Sequence, residues 1–265
     1  MSYRTIKVER AEAISRIRLN RPAKRNAQNP TLINELDAAV GAAAADPKVR
    51  VIVISGEGPA FSAGHDLEYP GFDRRRYTYH TRLDMERQLF VEKMLRIRNV
   101  PKPTIAQVHG HCVAAGLMLA CMCDLIVADT TARFANPVLT MGMPAVQLLV
   151  EPWEIGARKA KELLWTADAL SAEEAHRLGL VNRVVPAKRL EGEVTALARR
   201  IAQLPPFAVS AVKKSPALSS NSMLRVFRNN CAGERGASAP WSNVSRQTTR
   251  GLTPPARLCR CFWVR

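Results

Sequence analysis

Two glycine-bearing turns constrain this chain more than any other feature of it. Ser62-Ala63-Gly64-His65-Asp66 follows the apolar run Val49 to Ile54 through a loop, and Ala114-Ala115-Gly116 follows the run Thr104 to Val108. Small residues let backbone approach a ligand closely, and glycine at position 64 opens backbone angles that other residues avoid. The N–H groups of such a turn can point at a developing oxyanion. The second turn leads into a short apolar helix, whose N-terminus offers N–H groups without intrahelical partners and a partial positive charge. Either turn alone is an ordinary packing solution after a strand. As a repeated design the two suit one shared oxygen.

The rest of the chain alternates strands and helices, which predicts an α/β fold. Ile6, Val8, Ile14, Ile17 and Leu19, with a turn near Ala11-Glu12, predict a hairpin. Pro30 to Ala45 predicts an alanine-rich helix stopped at Asp46-Pro47. Arg82 to Arg98 predicts another, with Leu83, Phe90, Met94 and Ile97 as its buried stripe. A turn at His109-Gly110-His111 precedes a helix over Val113 to Met122, and Asp124 to Ala128 is a third buried strand. Helices are expected over Ala157 to Leu164, Ser171 to Leu178 and Lys188 to Gln203, with a strand at Val181 to Val185. Ser171 and Glu174 fit a capping box. These segments imply a core over residues 1–200 and a C-terminal helical region over 201–228. Residues 229–265 hold half of the cysteines, many arginines and no regular period. They read as a disordered tail or as the product of a shifted reading frame.

Composition excludes several classes. No apolar run reaches the roughly 18 residues that cross a bilayer. Met1 to Thr5 is polar with no signal-peptide core behind it, so a soluble cytoplasmic protein without a membrane partner is expected. The net charge of +16 is spread along the chain apart from Arg74-Arg75-Arg76 and the tail. That distribution fits a solvated surface, or a small phosphate-bearing ligand, better than nucleic acid. His109, His111, Cys112, Cys121 and Cys123 do not make a metal site: Cys121 and Cys123 stand two apart on an expected helix and point in different directions. The chain has neither a Gly-x-Ser-x-Gly elbow nor a Gly-x-Gly-x-x-Gly dinucleotide loop.

Six ordered motifs, spread over Ile6 to Val212, give the chain a resemblance to the enoyl-CoA hydratase/isomerase, or crotonase, family. They are Arg21 to Ala27, Phe61 to Leu67, Val108-His109-Gly110 with Ala114-Ala115-Gly116, Met122 to Leu125, Ser171 to Ala175 and Leu178 to Val181. The resemblance implies a crotonase-like spiral of ββα units with a C-terminal helical region, assembled as homotrimers or hexamers. It implies an acyl-CoA substrate whose thioester oxygen accepts from the backbone N–H groups of His65 and Ala115, so that an enolate can form. Lys24 and Arg25 would then meet CoA phosphates. The Ala63 to Leu67 backbone, with Gly64, Asp66 and Leu67 in it, would line the adenine and pantetheine, and Ala27, Ala114, Gly116, Met118, Pro137 and Val138 would also bind the substrate. No cofactor is implied beyond the CoA of the substrate.

The resemblance breaks at the proton-transfer groups. The family's hydratases carry one glutamate on the helix after the second turn, where this chain has Met118. They carry another after a Phe-x-x-Pro stretch, where Phe134-Ala135-Asn136-Pro137 is followed by Val138. Neither side chain moves a proton. Decarboxylase members share Phe-Ser-Ala-Gly-His-Asp, but their tyrosine after Gly-x-Pro falls here on Ala145. His65 therefore serves either through its N–H alone or also through its ring. Glu151, beside Pro152 and Trp153, is either a substitute carboxylate or a structural residue. Tyr77, Tyr79 and His80 are expected in a loop that lines the acyl tunnel in relatives, or simply on the surface.

Overall fold

Strand β3 (Val51–Gly56) has Val51, Ile52, Val53 and Ile54 all fully buried. Alternate residues of a strand face opposite sides, so burial of all four requires cover on both faces of the sheet. In the computed structural model, described over residues 3–69, 79–141 and 148–215 (side chains of 79, 80, 82 and 83 aside), that cover is helical. Val51, Val53, Ile105 and Val127 pack against Leu190, Val194 and Ala198 of helix α8 (Leu190–Ala202). Helix α1 (Pro30–Ala45) buries Leu32, Ile33, Leu36, Ala39 and Val40 and packs on β2 (Ile14–Leu19). It starts at Pro30 as the sequence predicts, and the start is fixed by Asn29, which accepts from the Leu32 N–H at 3.0 Å.

The large sheet runs in the order β1 (Ile6–Ala11), β2, β3, β5 (Thr104–Val108), β7 (Leu125–Asp129), β10 (Arg183–Val185). β1 and β2 form the expected antiparallel hairpin, with Ile6 opposite Leu19, and every later neighbour is parallel. A second sheet, not anticipated from the sequence, runs β4 (Ala60–Ser62), β6 (His111–Val113), β8 (Arg133–Ala135), β9 (Ala169–Ser171). β4, β6 and β8 are parallel, and β9 closes the edge antiparallel. The chain therefore visits the two sheets in turn: β3 then β4, β5 then β6, β7 then β8. Helices follow each pair: α2 (Tyr79–Glu86) and α3 (Glu92–Asn99) after the first, α4 (Ala115–Cys121) after the second, and α5 (Glu151–Ile155) with α6 (Ala157–Thr166) after the third. This is a succession of ββα units.

Several expected boundaries move. His111 to Val113 is a strand rather than a turn and helix start, because those residues pair with β4 on one side and β8 on the other. The helix expected over Arg82 to Arg98 begins at Tyr79 and is interrupted by a π-helical turn at Arg87–Val91. Tyr79 and His80 therefore belong to a helix and not to a loop, while Tyr77 lies outside the described residues. The strand expected from Val181 starts at Arg183, since the Leu180 and Val181 N–H groups close α7 (Ala172–Arg177) by donating to the Ala175 carbonyl. Ser171 caps α7 by accepting from Glu174 N–H at 3.1 Å. α9 (Pro206–Lys213) opens the C-terminal helical region. The remainder of 201–228 beyond Ser215, the tail over 229–265, and the Gly142 to Ala145 stretch lie outside the described residues.

Candidate active site

Three parallel strands of the small sheet end side by side, and each runs directly into a segment singled out from the sequence. Ser62 of β4 leads to Ala63–Asp66, Val113 of β6 to Ala114–Gly116, and Ala135 of β8 to Asn136–Val138. The carboxyl ends of parallel strands are where α/β folds collect their ligands. The two glycine turns touch there. A Cβ added to Gly64 would stand 2.9 Å from the Val113 carbonyl oxygen and 3.4 Å from the Ala115 nitrogen. One added to Gly116 would stand 2.5 Å from the Ser62 carbonyl oxygen. Gly64 also has φ +89, a left-handed conformation that favours glycine. Ala114 is held at φ 50 and ψ −113, with its N–H donating to the Ala135 carbonyl at 2.8 Å. A non-glycine residue in such a conformation stores strain, which persists only where the surroundings over-determine it.

Gln28 supplies much of that determination. Its N–H donates to the Gly64 carbonyl at 2.7 Å, and its carbonyl accepts from the Asp66 N–H at 2.9 Å. The C=O and N–H of a trans peptide point opposite ways, so the His65 N–H, which shares its peptide with the Gly64 carbonyl, points away from Gln28. The Gln28 side chain donates to the Ser62 hydroxyl at 3.3 Å and to the Ala115 carbonyl at 3.1 Å, bridging both turns. Asn26, fully buried, donates to the carbonyls of Glu57 and Ala60 at 2.9 and 2.8 Å, and Ser62 donates to the Asn26 carbonyl at 2.9 Å. Asp66 is buried against Arg21, 2.7 Å away, and Arg21 also donates to the Ala27 carbonyl. The Arg21–Gln28 segment is thus knitted to the first turn. Sequence reasoning passed over Asn26 and Gln28 as site-builders, because nothing in their spacing separates them from surface amides.

The remaining expected residues divide by environment. Ala27 and Gly64 are buried, Ala63 is half-buried, and Leu67 is 41% exposed. The Ala63 N–H donates to the carbonyl of Arg25, whose own φ is 46. Lys24 is exposed and ion-paired with Glu68. Met118 is buried one turn into α4, its N–H donating to the Ala114 carbonyl at 2.9 Å, and Pro137 and Val138 are half-buried beyond β8. Glu151, at the start of α5, is buried and accepts from Asn136 Nδ2 at 2.6 Å. That bond places it beside the Pro137–Val138 segment. Burial pushes its carboxyl above the ordinary glutamate range, and the Asn136 bond offsets this in part.

Across the first turn lies a carboxylate that the sequence reading missed. The His65 ring packs against Phe90, tilted by 45° with centroids 4.0 Å apart, and its Nε2 stands 3.5 Å from Oε2 of Glu86. Glu86 is fully buried, at the last position of α2 before the π turn that carries Phe90. The signal was present: position 86 is three residues after Leu83 and four before Phe90, on the same apolar stripe. The three described cysteines are buried free thiols, and burial pushes Cys123 up to about 12, which makes it inert as a nucleophile. No cluster able to hold a metal occurs among the described residues, and no described helix is long and apolar enough to cross a membrane.

Comparison with known proteins agrees with this geometry. The enoyl-CoA hydratase/isomerase family profile matches residues 9–229. A Mycobacterium tuberculosis protein named as a putative enoyl-CoA hydratase is 43% identical over 231 residues, covering 80% of this chain and 72% of that protein. The crystal structure of a probable enoyl-CoA hydratase from Mycobacterium smegmatis superposes with a TM-score of 0.77 at 43% identity, covering 88% of this chain and 90% of that one. A monofunctional enoyl-CoA isomerase of Mycobacterium smegmatis superposes at 0.66 with 27% identity, covering 80% and 91%. In sequence and in its crotonase-like fold, this chain belongs to the enoyl-CoA hydratase/isomerase family.

Proposed function

We propose that the protein is an acyl-CoA enzyme that holds the thioester oxygen between the backbone N–H groups of His65 and Ala115 and so stabilises an enolate beside the thioester. The observation that carries this reading is the contact between the two turns, so close that a Cβ on Gly64 would meet the Val113 carbonyl oxygen, the Ala114 Cβ and the Ala115 nitrogen. Donors fixed by a network such as that of Gln28 need no reorganisation as charge develops, and each is worth about 3 kcal/mol of barrier in comparable sites. CoA enters the reading as part of the substrate. Lys24 and Arg25 take its phosphates, the 63–67 backbone with Ala27 takes the adenine and pantetheine, and Ala114, Gly116, Met118, Pro137 and Val138 take the acyl chain. Met118 and Val138 remove the usual two-glutamate hydration from the reading. Isomerisation, decarboxylation and other enolate chemistry remain within it, with Glu151 as a substitute carboxyl. Assembly as a homotrimer or hexamer and a cytoplasmic location belong to the same proposal, the former checked by light scattering.

A second reading, a non-catalytic acyl-CoA binder, is favoured by Met118 and Val138 alone. Calorimetric titration with saturated and α,β-unsaturated acyl-CoAs, alongside turnover assays on the same set, separates the two. Binding with turnover of at least one thioester is expected. Binding without turnover or enolisation across the set selects the binder, and absence of binding overturns both.

A further inference from the structure

We infer that His65 and Glu86 form the proton-transfer pair of this site, with the His65 imidazole as base at the carbon next to the thioester and Glu86 as the residue that positions it. The inference rests on the acyl-CoA reading above and supplies the group that reading lacks.

A carboxylate buried to 0% exposure is costly unless it is paired. Glu86 occupies a stripe otherwise made of Phe90, Met94 and Ile97, where an apolar side chain would serve packing better. Among the described residues it faces His65, Nε2 to Oε2 at 3.5 Å, a contact that becomes an ion pair when the ring takes up a proton, and catalytic pairs are commonly this loose before substrate arrives. The ring is not free to swing away. Phe90 packs against it at a tilt, centroids 4.0 Å apart, and Gln28 fixes the main chain through the neighbours on both sides, Gly64 and Asp66. The π turn beginning at Arg87 follows Glu86 directly, and such widened turns recur at functional sites.

Orientation then assigns the chemistry. A carboxylate facing Nε2 favours the tautomer with its proton on Nε2, which leaves Nδ1 as the acceptor. Nδ1 is the ring nitrogen nearest the main chain, and therefore nearest the N–H that holds the thioester oxygen in the reading above. The carbon to be deprotonated is one bond from that carbonyl. Nδ1 takes the proton, the C–H electron pair forms the enolate double bond, and the carbonyl π pair moves to the oxygen held by the two N–H groups. Glu86 balances the imidazolium charge. The same Nδ1–H returns a proton to the α-carbon, which gives exchange with solvent, or to the γ-carbon of an unsaturated chain, which gives isomerisation. No further reactant is needed.

The test is deuterium incorporation at the α-carbon of butyryl-CoA in D2O, read by NMR, with the dissociation constant measured separately by calorimetry. The wild-type protein should exchange. His65→Gln, which keeps the backbone donor, should lose about 100-fold or more in exchange rate while affinity stays within about threefold. Glu86→Gln should lose about tenfold with the same affinity, and 15N NMR of the His65 ring should move from the Nε2–H tautomer towards a mixture. Should Glu86→Gln fail to fold, His65→Gln and the wild-type ring tautomer decide the matter. Binding with unchanged exchange in the variants, or with no exchange in the wild type, overturns the pair and leaves the acyl-CoA reading standing. Failure of the wild type to bind any acyl-CoA overturns the underlying reading instead.

Discussion

The two sheets are built on different principles. In the large sheet most strands are five or six residues long and are held by side chains: Val51, Val53, Ile105 and Val127 interlock with Leu190, Val194 and Ala198. In the small sheet every strand is three residues long, and its parts are held by backbone contact and by buried amides, Gln28 and Asn26 above all. A side-chain core loses stability by degrees as volume is removed, because neighbours relax partway into the gap. A backbone-to-backbone contact has no comparable freedom when volume is added. The two glycine turns of the candidate site lie on the second kind of structure, which suits chemistry performed by main-chain N–H groups.

The sharpest way to break this comparison is to add one methyl where helix α4 packs on the small sheet and remove two from the large one. In Gly116→Ala the new Cβ would meet the carbonyl oxygen, Cβ and carbonyl carbon of Ser62 at 2.5, 2.9 and 3.1 Å. The loss should be about 3 kcal/mol or more, or roughly 6–12 °C in melting temperature, with acyl-CoA binding abolished. Val53→Ala, at a fully buried position, should cost about 2 kcal/mol and leave binding intact. Calorimetric melts of the two variants check the order. Equal losses, or the reverse order, would show that the small sheet yields as readily as the large one.

A second prediction concerns the ion pair that fastens the first turn. Asp66→Asn leaves Arg21 facing a neutral amide where it now has a carboxylate at 2.7 Å, the two side chains being 8% and 18% exposed. Arg21 keeps its bond to the Ala27 carbonyl, so the expected loss is partial, about 2 kcal/mol. Urea unfolding should show a lower midpoint at an unchanged slope. A neutral result would mean that the Gln28 network holds the turn without help.

The same contrast explains what could be read from the sequence. Pro30–Ala45 and Thr104–Val108 were legible to the residue because an alanine-rich run ends at Asp46-Pro47 in the first case and an apolar run follows Pro101 and Pro103 in the second. β4, β6, β8 and β9 were not, since three residues are too few to establish an alternation and their pairing partners are far along the chain. The turns were legible as small-residue motifs, but their contact was not, because it depends on that unforeseen sheet. Gln28 and Asn26 act through long-range bonds that leave no local pattern. Glu86 is the different case, a polar residue in register with an apolar stripe, where reading every position of the stripe would have exposed it.

Glu151 carries the smallest expected effect and tests whether a buried carboxyl beyond β8 belongs to the fold or to the chemistry. Burial raises its folded-state value above that of the unfolded chain, so the native state holds the proton more tightly. Its stabilising contribution is complete below the ordinary glutamate range and is lost as pH rises through the raised folded value. Glu151→Gln removes that loss, while the amide oxygen can still accept from Asn136. The variant should therefore be more stable than wild type by about 1 kcal/mol at pH 8, and the gain should shrink towards pH 4. Glu154, raised in the same direction by burial, contributes equally to both proteins and cancels from the difference. Urea titrations at the two pH values supply the stabilities, and α-proton exchange on the same samples supplies the chemistry. A more stable variant with unchanged exchange assigns Glu151 to neither role. A more stable variant with slowed exchange marks a residue kept at a cost to the fold because the reaction uses it.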